Sequence, residues 1–394
     1  MLKSQRDRMG PSRNDPETQR AYLNGISETF QSLVRDALGA SYAHHEMFSK
    51  HELRLVTRVV EAKDEYSEKM AKHGHMRHFQ TTEGEGGHLN EISRLTLKEA
   101  DKFEIDHSLY PELEEILEPF TTEMPEADEN TDILDYIEHV YTSSRGQEIG
   151  TFVGTLLGTM FQEQSKKWDT ITLVHMTRVI YHVHHFIHEA LKGSCPDLRV
   201  YHELWDAYLL DELQSSYRAA LECAKLLLEI ERHCCPITLN HYFNDNLQKA
   251  QGERLVRAME ELGISEARSP AAESPDATID DVVRIKKSDL QNMVVDKANS
   301  THVREYMHDV LHSYYKVSRK RFVDVVCQQA VNYYLLAGDQ SPLKIFQTQM
   351  VLRLTEEQLD MIAGEDSHVR QRREKLSRDI GNFEAALKVL KGSG

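Results

Sequence analysis

THVREYMHDVLHSYYKVSRKRFVDVVCQQAVNYYLLAGDQSPLKIF (Thr301–Phe346) and TEEQLDMIAGEDSHVRQRREKLSRDIGNFEAALKVL (Thr355–Leu390) decide the fold class. In the first, Val303, Tyr306, Met307, Val310, Leu311, Tyr314 and Val317 recur at three- and four-residue steps, which gathers them on one face of a helix. Lys316, Arg319, Lys320 and Arg321 crowd the middle, and apolar positions resume at Phe322, Val325, Val326, Val331, Tyr334 and Leu335. A helix over 301–336 would be about 50 Å long at ~1.5 Å per residue, too long for one compact globule. In the second, Leu376, Ile380, Phe383, Leu387 and Leu390 alternate steps of four and three. That is a heptad-like seam on a helix over 366–391, and such a seam needs partner helices.

The same period continues upstream. Asn14-Asp15-Pro16-Glu17 is a helix start, followed by Tyr22, Leu23, Ile26, Phe30, Leu33, Val34, Ala37 and Leu38 and a stop near Gly39. Further helical stretches are expected from about His51 to His73, at Asp132–Ser143, from Phe152 to Leu191, from Leu198 to Arg232, and again after Pro236. Glycines between Gln80 and Asn90 read as a loop, and residues 264–298, with Pro270 and Pro275, as a flexible loop between helices. Its basic cluster, Arg284, Lys286 and Lys287, is either a solvated face or a lipid-facing surface. Strand-like alternation is absent or isolated, so the fold class expected is all-α with long helices.

The chain has 47 Lys and Arg against 64 Asp and Glu, a net charge of −17. Thirteen of the acids lie between Phe103 and Ser144, where no Lys or Arg occurs. Without an excess of cations to replace phosphate counterions, nucleic acid is not expected as a partner. Cys195, Cys223, Cys234, Cys235 and Cys327 are odd in number and form no C-x-x-C, which fits a reduced cytoplasmic chain. The polar start MLKSQRDRMGPSRNDPE has no signal-peptide core, and no run of about 18 apolar residues offers a membrane span. Any membrane role is therefore expected to be peripheral.

Catalytic patterns are hard to find. A phosphate loop needs G-x-x-x-x-G-K-[ST], and the chain has no Gly-Lys pair. Asp36-Ala-Leu-Gly39 matches the loose D-x-x-G of GTPases only by chance, since it sits at a helix end. His184 and His188 are four apart and would share a helix face, as metal ligands do. No HExxH and no supporting Cys or Asp accompanies them, and His73, His75 and His78 fare no better, so neither metal nor cofactor is expected. No G-x-S-x-G elbow is present. The chain alone is not expected to be an enzyme.

Three stretches resemble the middle region and GTPase effector domain of dynamin-like large GTPases, nearest the fungal dynamin-like and Mx-type branch. They are GPSRNDPETQRAYLNGISETFQSLVRDALGASY (Gly10–Tyr42), SRGQEIGTF (Ser144–Phe152), and the C-terminal block with Tyr314–Phe322, Ser341-Pro342-Leu343 and Glu365–Arg373. The second matches an Arg-Gly-x-Glu-Leu-Pro-Gly-Phe stalk loop at Arg145, Gly146, Glu148, Gly150 and Phe152, with Ile149 in place of Leu-Pro and Thr151 added. The resemblance implies an elongated antiparallel four-helix stalk with a further C-terminal signalling-bundle helix. It divides the chain into a stalk region over 1–263, a loop over 264–298 and an effector domain over 299–394.

It further implies self-assembly from dimer to higher oligomer, with a tip contact at Arg145, Gly146, Glu148 and Phe152 and a central crossing contact at Phe322, Val326 and Tyr333. Assembly would be coupled to GTP hydrolysis and membrane remodelling by a GTPase domain that these residues do not contain. A dynamin-like GTPase domain or full-length GTPase would be a partner, and the Leu376–Leu390 seam would lack its usual helices. The chain is then either a piece of a larger GTPase or a stand-alone relative. The competing expectation is a plain helical scaffold that binds a partner through that seam without polymerising.

Overall fold

The computed structural model describes residues 12–80, 109–117, 124–125, 132–144, 154–261 and 299–392. Among them every regular element is helical and no strand occurs. The first helix, α1 (Pro16–Leu38), starts as its sequence dictates. Asp15 caps it by accepting from the Thr18 amide at 2.9 Å, and the Gly39 amide closes it onto Arg35 O, also at 2.9 Å. There follow α2 (Leu55–His73), α3 (Ile133–Ser143), α4 (Gly154–Gln164) and α5 (Trp168–Ser194). The single helix expected over 152–191 is two, because the chain turns at Ser165–Lys167. There the Ser165 hydroxyl caps Phe161 O at 2.7 Å, and Gln164 O turns away to accept from the Met76 amide at 3.0 Å.

After α5, α6 (Leu198–Leu204) passes through a π-helical turn, Trp205–Leu209, into α7 (Leu210–His233). Next come α8 (His241–Glu261) and α9 (Asn299–Val325). The latter continues without a break as a π-helical stretch, Val326–Ala337, closed by a Gly338 amide bond to Tyr333 O at 2.7 Å. The expected helix over 301–336 is thus this α9 and its π continuation. Short helices α10 (Thr348–Arg353) and α11 (Glu356–Ala363) lead to α12 (Ser367–Gly392).

The centre of the core is aromatic. Trp168, fully buried, stacks on Phe322 with centroids 5.2 Å apart, donates from its indole to Tyr315 Oη at 2.9 Å, and meets the edge of Phe161. Gly74 lies against this group so closely that a Cβ there would stand 3.1 Å from Tyr315 Oη and 3.2 Å from the Trp168 indole nitrogen. Residues 341–363 return to α1: Phe346 packs on Phe30, the Gln31 amide donates to Leu343 O and Phe346 O, and Gln19 reaches Asp360 at 2.9 Å. One continuous apolar core therefore joins residues from both sides of the 264–298 segment. Leu376 and Ile380 of α12 are buried but stand outside that core.

Candidate functional site

The histidine row of the sequence lies on α5 and builds a buried polar centre. His184 is completely buried, with Nε2 3.1 Å from Glu112 Oε1 and Nδ1 3.2 Å from Tyr217 Oη. Burial holds the Tyr217 hydroxyl well above its ordinary value, so it is protonated and donates to Nδ1. Burial pushes the Glu112 carboxyl up, but the His184 hydrogen bond, a backbone amide and the pull of the His184 and His188 imidazoles together outweigh it, and the net shift is downward. For His184 burial dominates over the pull of Glu112 and lowers its pKa. A neutral imidazole therefore donates from Nε2 to a carboxylate. Gln214 adds a hydrogen bond to Glu112 O at 2.9 Å, and Tyr110 Oη lies 2.6 Å from His185 Nδ1.

Tyr–His–Glu connectivity is that of a nucleophile, a base and its orienter. Here Tyr217 is fully buried, so no substrate meets its oxygen, and the three groups instead fasten Pro111–Leu113, α5 and α7 to one another. Rings close around them: Tyr110 lies 4.8 Å from His184, and Trp205 of the π turn lies 5.3 Å from His184 and 5.2 Å from His188. Both ring nitrogens of His184 are engaged, while His188 Nδ1 lies 3.1 Å from Glu189. Among the described residues no three His, Cys, Asp or Glu side chains are arranged to hold a metal ion. Nothing in the sequence spacing marks Glu112 and Tyr217 as partners of His184, because they are 72 and 33 residues away.

The residues expected to carry assembly divide sharply. Phe322 and Val326 are core side chains, 1% and 0% exposed, and so do not face outward as a crossing contact requires. Their apolar spacing marked a buried face, and Trp168 already covers it. Tyr333, on the π stretch, is 58% exposed. Within the C-terminal seam Leu376 and Ile380 are buried, whereas Phe383 and Leu387 are 62% and 54% exposed. The side chain of Leu390 lies outside the described residues, as do Arg145, Gly146, Glu148 and Phe152 and the cluster Arg284, Lys286 and Lys287.

A second charged centre was not legible in the sequence. Arg254 of α8 bridges to α9, its Nη1 3.3 Å from Glu305 Oε2 and its Nη2 bonded to Asp309 Oδ1. His308 Nδ1 also meets Asp309 at 3.2 Å, and its Nε2 accepts from the Gln80 amide. Burial pushes the Asp309 carboxyl up, but hydrogen bonds from His308 and Arg254 outweigh it and keep the carboxyl ionised.

No protein-family model matches the chain, and no curated protein matches it. Among the described residues no helix is long and apolar enough to cross a membrane.

Proposed function

We propose that this chain is the stalk and effector region of a dynamin-like protein, an elongated antiparallel four-helix stalk that associates with copies of itself. Its assembly is coupled to GTP hydrolysis and membrane remodelling by a GTPase domain outside these residues. The observation that carries this reading is the opposed order of contacts along α2, α5, α7 and α9. Glu65 pairs with Arg178 while Tyr66 bonds Thr172, and farther back on α2 Arg58 bears on His182. Asp169 pairs with Arg232 while His184 meets Tyr217. Glu231 pairs with Arg321 while Ser216 bonds Gln340 O, and Gly74 lies beside Tyr315 while Lys63 reaches Asn332. In each pair residue numbers rise on one helix as they fall on the other, which supports four long helices laid alternately up and down.

The outward residue best placed for a contact between copies is Tyr333. Sedimentation velocity of the purified chain should show association rising with concentration through tens of micromolar. Tyr333→Arg should weaken it about tenfold or more with helicity unchanged, as loss of an aromatic anchor does. A chain that stays monomeric across that range overturns the reading. The exposed Phe383 and Leu387 favour a second reading, a non-polymerising scaffold, under which a monomeric chain binds a partner helix and Phe383→Ala abolishes that binding.

A further inference from the structure

Helix α8 is attached unlike its neighbours. No described side chain along it is fully buried, and its inner stripe, Phe243, Leu247, Ala250 and Arg254, is only half covered. Outward it shows Tyr242, Leu255 and Val256 to solvent. By contrast α5 buries side chains along its whole length. Phe243 packs at the edge of the main core, and the polar fixing point is the Arg254 guanidinium on Glu305 and on the carboxylate of Asp309, which is 5% exposed. A buried carboxylate left without its cation is costly, so the seat on α9 needs an Arg254. The chemistry does not specify whose.

We propose that α8 is an exchangeable strap, docking on α9 of its own chain or, through the same contacts, on α9 of a second copy, so that two chains trade straps. The occupant is a second copy because only that sequence reproduces the stripe and the Arg254 pairing together. Both connections have the length. On one side lies the non-helical Cys234–Asn240, and on the other are 37 residues between Glu261 and Asn299, a reach of up to about 120 Å. Ile237 and Leu239 of the first connection are 71% and 94% exposed, and Ile230 on the adjoining turn of α7 is 50% exposed. In a strap-exchanged pair the two connections cross side by side, and these apolar groups gain a partner. Exchange of an identical element is a low-cost route to a dimer, since each strap leaves and regains the same surroundings. The inference shares with the stalk reading only the partner, not the surface.

Charge reversal on the two sides of the clamp tests it in trans. Arg254→Glu and Glu305→Arg each place like charges at the seat. Their mixture removes the like-charge contact between positions 254 and 305 in both seats only if straps cross between chains. In a Tyr333→Arg background, which removes the other proposed contact, the two variants are given distinguishable tags, mixed and read by native mass spectrometry. The expected result is a 1:1 heterodimer in about tenfold excess over either homodimer, because juxtaposed like charges are strongly disfavoured. The cis double variant Arg254→Glu/Glu305→Arg removes the like-charge contact between positions 254 and 305 within one chain and should recover part of the thermal midpoint lost in Arg254→Glu, which controls for folding, while the unchanged Asp309 carboxylate keeps it below wild type. A mixture that shows only the separate variants, while the double variant is folded, overturns strap exchange and leaves the Tyr333 contact to be judged by its own experiment.

Discussion

Helices α9 and α12 are of nearly equal length, 27 and 26 residues, and each carries an apolar row at three-and-four spacing. They end in opposite environments. Met307, Leu311 and Phe322 of α9 are 1% exposed or less, whereas among the described side chains of the row on α12 Leu376 and Ile380 are covered and Phe383 and Leu387 stand open. Spacing determines which side chains share a face; whether that face is covered depends on what three other helices bring to it. For α9 they bring Met70 of α2, Trp168 of α5 and Tyr217 of α7 into one core. For the outer turns of α12 the described residues bring no such cover.

The contrast can be broken most forcefully at Phe322. Phe322→Ala removes the ring against which Trp168 stacks, and should cost about 3–5 kcal/mol in a urea unfolding titration. A loss below about 1 kcal/mol would mean that the stack is not part of the core. Per pH unit, acid has a smaller effect, and it acts only on the buried side. His175 and His182 are buried on α5 and their pKa values are pushed down to about 3 by burial, with Lys63 adding to the effect on His175 and Arg58 on His182. Both are neutral in the fold but take up a proton when unfolded below their ordinary value of 6.5. Stability should therefore be full above that value and fall as pH drops toward 3, by about 1.4 kcal/mol per pH unit for each. His175→Phe, which keeps a ring against Tyr66, should flatten the slope by one such increment. An unchanged slope would show that His175 is not the group resisting the proton. The smallest effect belongs to α12: Phe383→Ala should leave the unfolding midpoint within roughly 0.5 kcal/mol, as surface substitutions do. A cost like that of Phe322 would mean that α12 is covered after all.

Helices with local start and stop signals were readable from the sequence. Asp15-Pro16 and Gly39 bound α1 where the residues place them, and the block over 301–336 lies within the helix that runs from Asn299 to Ala337. The break at Ser165 was not, because a serine inside an apolar period does not announce whether its hydroxyl will cap the preceding turn. Nor did the period distinguish Phe322, which has Trp168 above it, from Tyr333, which does not. Histidines at metal-ligand spacing became a hydrogen-bonded centre because their partners come from distant segments, Glu112 and Tyr217. The Arg254–Asp309 pair spans the 264–298 segment and leaves no trace in local spacing.

The chain holds only two tryptophans, and the fold sends them to different neighbourhoods. Trp168 lies among Phe161, Tyr315 and Phe322, while Trp205 lies against His184 and His188. Protonated imidazole quenches indole emission, so the molecule carries an optical reporter of its histidine centre beside an internal reference whose ring neighbours among the described residues are Phe161, Tyr315 and Phe322. Intrinsic fluorescence, resolved by replacing one indole at a time with phenylalanine, then tells which neighbourhood loosens first, without a dye or a label.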